Sequence, residues 1–418
     1  MPQEYSLVTL AMPTETTPSI DQIRAQFPSL ANGEIFMDNA GGAQVPLSVA
    51  DAIRDYLLNS NVQIGAEYPA SRRATQSLAD AHSMMNTVMG GDGIGQTILG
   101  ASSSVLCQML ADCYADSLQP GDEVIVAESG HEANVGPWVN LAKRGITVKL
   151  WEANPTTGIC ELATLQNLLS AKTKVVALVH VSNILGQVED IKPCIDAAHA
   201  VGAKVVVDGV AYAPHLTVDV AGLDADWYVF SCYKVFGPHI GAMFGKHDAF
   251  AELTGPNHYF LPKSYLPAKF ELGSPCYESC AGLLGLKPYL QFLAGESTFD
   301  RSTVLAAWRA MEELEQPLTA RLLDFLATKP KVKVIGSAAP GKDRVPTISF
   351  LHENRTTQEI SDAVLQAGIG MRWGNFYSVR LLERLGINSD SGVARVSFAH
   401  YNTVEEVDRL ISALEPVL

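Results

Sequence analysis

Between Gln96 and Gly245 the chain alternates short aliphatic runs with helical segments, and this rhythm restricts the fold more than any other feature. The runs are QTILGA, DEVIVAES, TVKLWEA, KVVALVHVS, AKVVVDGV, DWYVFS and IGAMFG, with helices expected over 102–117, near 134–144 and over 191–201. Val, Ile and Leu without polar alternation suit strands buried on both faces. Helices of ~10–15 residues between such strands are what parallel crossovers require. The expected class is therefore α/β, a parallel sheet covered on both sides.

The flanking segments read differently. Residues 1–18 are rich in Thr and Pro and read as a loose arm without a signal peptide. SIDQIRAQFPSL follows as a short helix capped by Ser19 or Asp21, EIFMDNAGG as a strand entering a glycine turn, and PLSVADAIRDYLLNS as a helix from Pro46. After about residue 295, RSTVLAAWRAMEELEQPLTARLLDFLATKP predicts a long amphipathic helix. VPTISFLH, TTQEISDAVLQAG, GVARVSFAHYN and TVEEVDRLISALEPVL then alternate strand with helix, as in a smaller α+β domain. The expected divisions are 1–30 for an arm and helix packing with the small domain, 31–295 for the large domain and 296–418 for the small one.

Composition removes several function classes. A net charge of −15 opposes nucleic-acid binding, which needs a basic face. No apolar run approaches the ~20 residues of a membrane span. Seven cysteines at 107, 113, 160, 194, 232, 276 and 280 include no CxxC, so neither a disulfide framework nor a metal site is expected. Buried, reduced thiols in a cytoplasmic protein are the expectation, and Cys276 and Cys280, which could share a helical face, receive no function.

In open parallel sheets ligands bind beyond the carboxyl ends of the strands. Ser102, Ser103 and Ser104 stand there after ILGA, His131 after EVIVAESG, Asn183 after VVALVHVS, Asp208 after KVVV, and Ser231 and Lys234 after WYVF. Each has an ordinary alternative: serines cap helices, Asn183 and Asp208 suit turns, and His131 suits a surface or core position. Together they match a different set of needs. Hydroxyls at a helix start suit a phosphate, Asp208 a protonated ring nitrogen, and His131 the face of a flat ring. Lys234, the lone amine in FSCYKVFGPHIGAMFG, suits an imine with an aldehyde. These are the requirements of pyridoxal 5'-phosphate. Rival signatures are missing: GGDGIG lacks the dinucleotide spacing, and neither a P-loop, HExxH nor GxSxG occurs.

On FMDNAGGAQVP, HEANVGPW, VHVSNILGQVEDI, the long VVVDGVAYAPHLTVDVAGLDADWYVFSCYKVFGPHIGAMFG, FELGSP and RVSFAHYNTVEEVDRL, the chain resembles the class V aminotransferases. Within them it is most similar to the cysteine desulfurase-like proteins of PLP fold type I, from about Phe27 to the C-terminus. The resemblance implies a large domain with a mostly parallel sheet of the seven-stranded type, a smaller C-terminal α+β domain, and a homodimer with shared active sites. It implies that Lys234 is the Schiff-base lysine and proton shuttle, that Asp208 pairs with the pyridinium and that His131 stacks on the ring. Asn183 would orient the substrate or ring oxygen, while Ser102, Ser103, Ser231 and Tyr233 would hold the phosphate. Ser274 would reach the phosphate of the other subunit. Arg395 would fix the α-carboxylate of an amino-acid substrate, with Arg372 and Tyr377 beside it.

Departures from the family pattern matter as much. Ala211 stands where related desulfurases carry the glutamine that contacts the ring hydroxyl, and Tyr233 where they carry histidine. In RWGNFY, Tyr377 stands where desulfurases carry the persulfide-forming cysteine, and a phenol cannot serve as that thiolate. DGVAYAPH and PNHYF are also similar, more weakly, to a fungal branch that includes the decarboxylative aldolase of ustiloxin biosynthesis. The expected activity is cleavage of a Cβ bond in a small α-amino acid without an enzyme persulfide. Transamination, epimerisation and decarboxylative aldol chemistry are the alternatives.

Overall fold

The computed structural model describes residues 18–418, so all but the last residue of the N-terminal arm lies outside the described residues. The first helix is Ile20–Arg24, closed by a capping box between Ser19 and Gln22. A short strand, β1 (Ile35–Phe36), follows. Helix Leu47–Asn59 starts one residue later than expected, because Pro46 is its N-cap and not its first helical residue. Helix Pro69–Met89 comes next; its inner face is largely Ala74, Ala81, Met84 and Met85.

The large sheet is built from β2 (Gly95–Gly100), β3 (Glu123–Ala127), β4 (Thr147–Trp151), β5 (Thr173–Val179), β6 (Lys204–Asp208), β7 (Trp227–Ser231) and β8 (Gly241–Lys246). Their spatial order is β2-β8-β7-β6-β5-β3-β4. The block β7-β6-β5-β3-β4 is parallel, with β8 antiparallel to both of its neighbours. IGAMFG thus departs from a uniformly parallel reading. Only residues 232–240 join β7 to β8, fewer than the dozen or so that a parallel crossover needs. The helix expected near 134–144 is Glu132–Val139 continued by a tighter turn over Asn140–Arg144.

The smaller sheet has the order β12-β13-β10-β9, formed by β9 (Val332–Ile335), β10 (Thr347–His352), β12 (Arg372–Gly374) and β13 (Val393–Ser397). All of its pairings are antiparallel. The remaining strand, β11 (Ile369–Gly370), pairs in parallel with β1, and Ser397 donates a backbone hydrogen bond to Met37. Ile35 and Met37 therefore pack in the core with Leu322, Phe350, Ile369 and Val396. Helix Arg301–Ala327, capped by Asp300, backs this sheet. No helix among the described residues is long and apolar enough to cross a membrane.

The two bodies meet through a turn that tolerates no side chain. Gly186 has φ +64°, accepts from the Val345 amide, and a Cβ there would lie 2.1 Å from the Thr347 carbonyl oxygen. Left-handed backbone and a backbone clash are added together at this position. Gly186→Ala should therefore lower stability by about 2 kcal/mol or more. An unchanged melting temperature in calorimetry would contradict this packing.

Candidate active site

Register places the polar residues together. Asp208, last in β6, pairs with Val179 of β5 on one side and Val229 of β7 on the other. Asn183 thus stands four residues beyond that row, and Ser231 and Lys234 two and five residues beyond it. Ser103, His131, Asn183, Asp208, Ser231, Tyr233 and Lys234 line one cleft, together with Ser104, Ala211 and apolar Val179, Val181 and Val210.

At one end of the cleft, the hydroxyls of Ser103 and Ser231 meet at 2.7 Å, both buried. Ser103 opens helix Ser103–Ser117, whose first amides have no intrahelical acceptor. Ser102 is occupied differently, its hydroxyl accepting from the Val105 amide as the N-cap. A Cβ on Gly241 would come within 2.5 Å of Ser102 C and Ser103 N, so the bare backbone of β8 makes room for this turn. Tyr233 stacks on His239 at 4.6 Å. Ser274 lies outside the cleft, exposed and left-handed with φ 72°, beside an apolar depression containing Val105, Met109, Phe270 and Leu272.

Across the cleft Asp208 is 5% exposed and accepts from the Val210 amide at 2.9 Å. Burial pushes its carboxyl up to about 6, against the pull of that amide and of Lys234. His131 caps helix Glu132–Val139, its Nδ1 accepting from the Ala133 amide at 3.0 Å. Burial first, then Lys234 and Arg395, lower the imidazole to about 4, so it is neutral at pH 7 with its proton on Nε2. Cys107 also lines the cleft, but burial and then Asp208 hold its thiol well above the ordinary range.

Lys234 ends a short turn after β7 and is not snorkelled to bulk water; it opens into this cleft. Desolvation, then Arg395, lower its ammonium to about 8, with Asp208 and Asp38 opposing. The turn is held from behind by Phe236, left-handed with φ 59° and edge-on to His400 at 4.6 Å. Phe27 closes the same aromatic cluster against Phe236, Tyr289 and Tyr401.

Arg395 projects from β13 and is 2% exposed. Its Nη2 donates to Asp38 Oδ1 at 2.9 Å and its guanidinium lies 3.6 Å from the centre of the Phe376 ring. Its Nε has no hydrogen-bond partner, a costly state for a buried donor. Arg372 is exposed, with Nη1 3.7 Å from Asp38 Oδ2. Phe376 and Tyr377 are both left-handed, with φ 48° and 60°. Such strain persists only where the surroundings enforce it. Here Asn183 donates to the Phe376 carbonyl at 2.9 Å and accepts from the Ser378 hydroxyl at 2.8 Å, while the Glu132 amide donates to the Tyr377 carbonyl at 2.8 Å. The Tyr377 ring, largely exposed, leans over His131 with centroids 5.2 Å apart. Arg380 and Arg384 clamp Glu132 and Glu128 in two bidentate pairs, fixing this segment to the connection that follows β3.

Asp38 and Phe376 carry this geometry without having been singled out as site residues. Their only sequence signal is that they lie within recognisable motifs, MDNAGG and RWGNFY. The donor set fits pyridoxal 5'-phosphate. Buried hydroxyls at a helix start suit the phosphate, Asp208 the ring nitrogen and neutral His131 the ring face; the amine near neutrality suits the aldehyde, and the Arg395 guanidinium a carboxylate. Among the described residues no cluster suited to a metal ion is found.

Comparison with known proteins agrees with this geometry. The family model described as aminotransferase class-V matches residues 35–410. The aminotransferase-like protein FGM3 of Gibberella zeae is 41% identical over 96% of this chain and 98% of its own. A probable cysteine desulfurase of Vibrio cholerae is 32% identical over 95% of this chain and 98% of its own. The crystal structure of the cysteine desulfurase CsdA from Escherichia coli superposes with a TM-score of 0.81 at 27% identity, covering 96% of this chain and 98% of that one. The α/β fold with its mostly parallel sheet is thus PLP fold type I, and the chain belongs to the class V aminotransferase family of pyridoxal 5'-phosphate-dependent enzymes.

Proposed function

We propose that this enzyme cleaves a Cβ bond of a small α-amino acid and does so without an enzyme persulfide. The observation that carries the second part is the position of its thiols. Among the described residues Cys107 is the one cysteine lining the cleft, and it is held protonated on the phosphate-side helix. Tyr377 occupies the loop opposite His131. A protonated, buried thiol is a poor nucleophile.

The bound cofactor supplies an electron sink for the pair released at Cα. The chain supplies the rest. Ser103 and Ser231 hold the phosphate, Asp208 keeps the ring nitrogen protonated and His131 covers the ring. Arg395 takes the α-carboxylate, and Lys234 Nζ removes the Cα proton. General-base help of this kind is worth ~10²–10⁴-fold. We also propose a cytoplasmic homodimer, supported by seven free cysteines and by exposed Ser274 beside an apolar depression with Leu272 and Val105 at its rim. Transamination is the second reading, favoured by the name of the 41%-identical relative.

Lys234→Ala should bind PLP without the visible absorbance of the lysine-linked cofactor; a variant that retains that absorbance removes Lys234 from its role. Because the Lys234 amine is lowered to about 8, cofactor capture by the apoprotein should accelerate about tenfold per pH unit below that value and level off above it. Arg395→Ala deletes a cation that disfavours protonation, so the midpoint should move upward; a downward shift would contradict the arrangement. An amino-acid panel decides the reaction. Pyruvate released with sulfide, or alanine released with sulfite or carbon dioxide, supports Cβ cleavage, whereas turnover that requires an added keto acid replaces it with transamination.

A further inference from the structure

Asp38 has no assigned role, yet it touches both arginines read as substrate-binding groups, Arg395 and Arg372. It follows β1 and forms a parallel bridge with Ser397, two residues beyond Arg395 on β13. The turn after it is pinned. Asn39 donates to the Phe36 and Ser397 carbonyls and to Asn402 Oδ1 at 2.9, 3.0 and 3.1 Å, and the Ala40 amide donates to Ser397 Oγ at 2.8 Å. The carboxylate is therefore delivered by a rigid backbone.

We infer that Asp38 is a positioning residue that holds the plane of the Arg395 guanidinium fixed for the incoming α-carboxylate. The inference rests on the reading of Arg395 as the carboxylate-binding group. A guanidinium offers a planar fork whose two edges are distinct donors. One end is taken by Asp38 Oδ1 at 2.9 Å, and one face lies on Phe376. Nη1 makes only a long contact of 3.4 Å with the Asn183 carbonyl, and Nε makes none. With Nη2 and one face fixed, the plane cannot turn about the side-chain axis, and the donors that Asp38 leaves unfilled are what remain for a carboxylate. Asp38 also bears on the amine, since its charge raises Lys234 where Arg395 lowers it. Its second oxygen faces Arg372 at 3.7 Å, so one carboxylate stands between two guanidinia.

Spectral titration of the holoenzyme with L-alanine and with ethylamine isolates the carboxylate contribution, because the two ligands share the amine. Wild type should prefer alanine. In Asp38→Asn that preference should fall about tenfold or more, as expected for loss of a charge-assisted constraint, while ethylamine binds as before. The pH midpoint for cofactor capture by Lys234 should shift downward in the same variant. A preference for alanine that survives the substitution overturns the inference. A wild-type protein that does not prefer alanine overturns the reading of Arg395 itself, and this inference with it. Asp38→Glu, which keeps the charge on a longer arm, should lose the preference while retaining the midpoint, and it decides the matter if the neutral variant does not fold.

Discussion

The structure depends on the pairing of β6 between β5 and β7. Once Val179, Asp208 and Val229 share one row, the loops beyond these strands leave from the same edge. Asn183, Ser231 and Lys234 then lie a few residues from a common line, and only short connections are needed to turn them inward. A slip of one residue on β6 would turn Asp208 to the other face of the sheet. The buried aliphatic runs of all three strands oppose that slip, because every residue of β7 and nearly every residue of its neighbours is enclosed.

Burial acts in opposite directions on the two groups that flank the cleft. It lifts the Asp208 carboxyl to about 6 and lowers the Lys234 amine to about 8, in each case favouring the neutral form. A protonated ring nitrogen beside Asp208 would return that carboxylate to its ionised form by direct charge pairing. Lys234 gains what an aldehyde requires, a substantial neutral fraction at physiological pH. Two groups adjusted apart in this way by their surroundings are characteristic of acid–base chemistry and not of a structural ion pair.

Much of this was legible in the sequence because polar residues at strand ends interrupt otherwise aliphatic runs. Asp208 after KVVV and Lys234 after WYVF announce themselves by contrast. Asp38 and Phe376 do not. Their importance arises when β1 joins β11 and Asp38 settles beside Ser397, pairings between distant parts of the chain that leave no local periodicity. Helix Pro69–Met89 was silent for another reason. Its buried face opens with Ser71, Ala74 and Ala81, residues too small or polar to trace an apolar stripe. Ser102 and Ser103 show the limit of residue type as a signal. The two are adjacent and identical, yet one hydroxyl caps the helix while the other meets Ser231.

The aromatic cluster behind Lys234 has a consequence for biosynthesis. Phe236 is braced by Phe27 from the start of the chain and by His400 and Tyr401 close to its end. Domains generally fold as units during translation, the N-terminal parts first. The strands of the large sheet are complete by Lys246, but the wall behind the amine is finished only once His400 and Tyr401 have joined it. Competence at the amine thus waits on a segment far downstream of it in the chain.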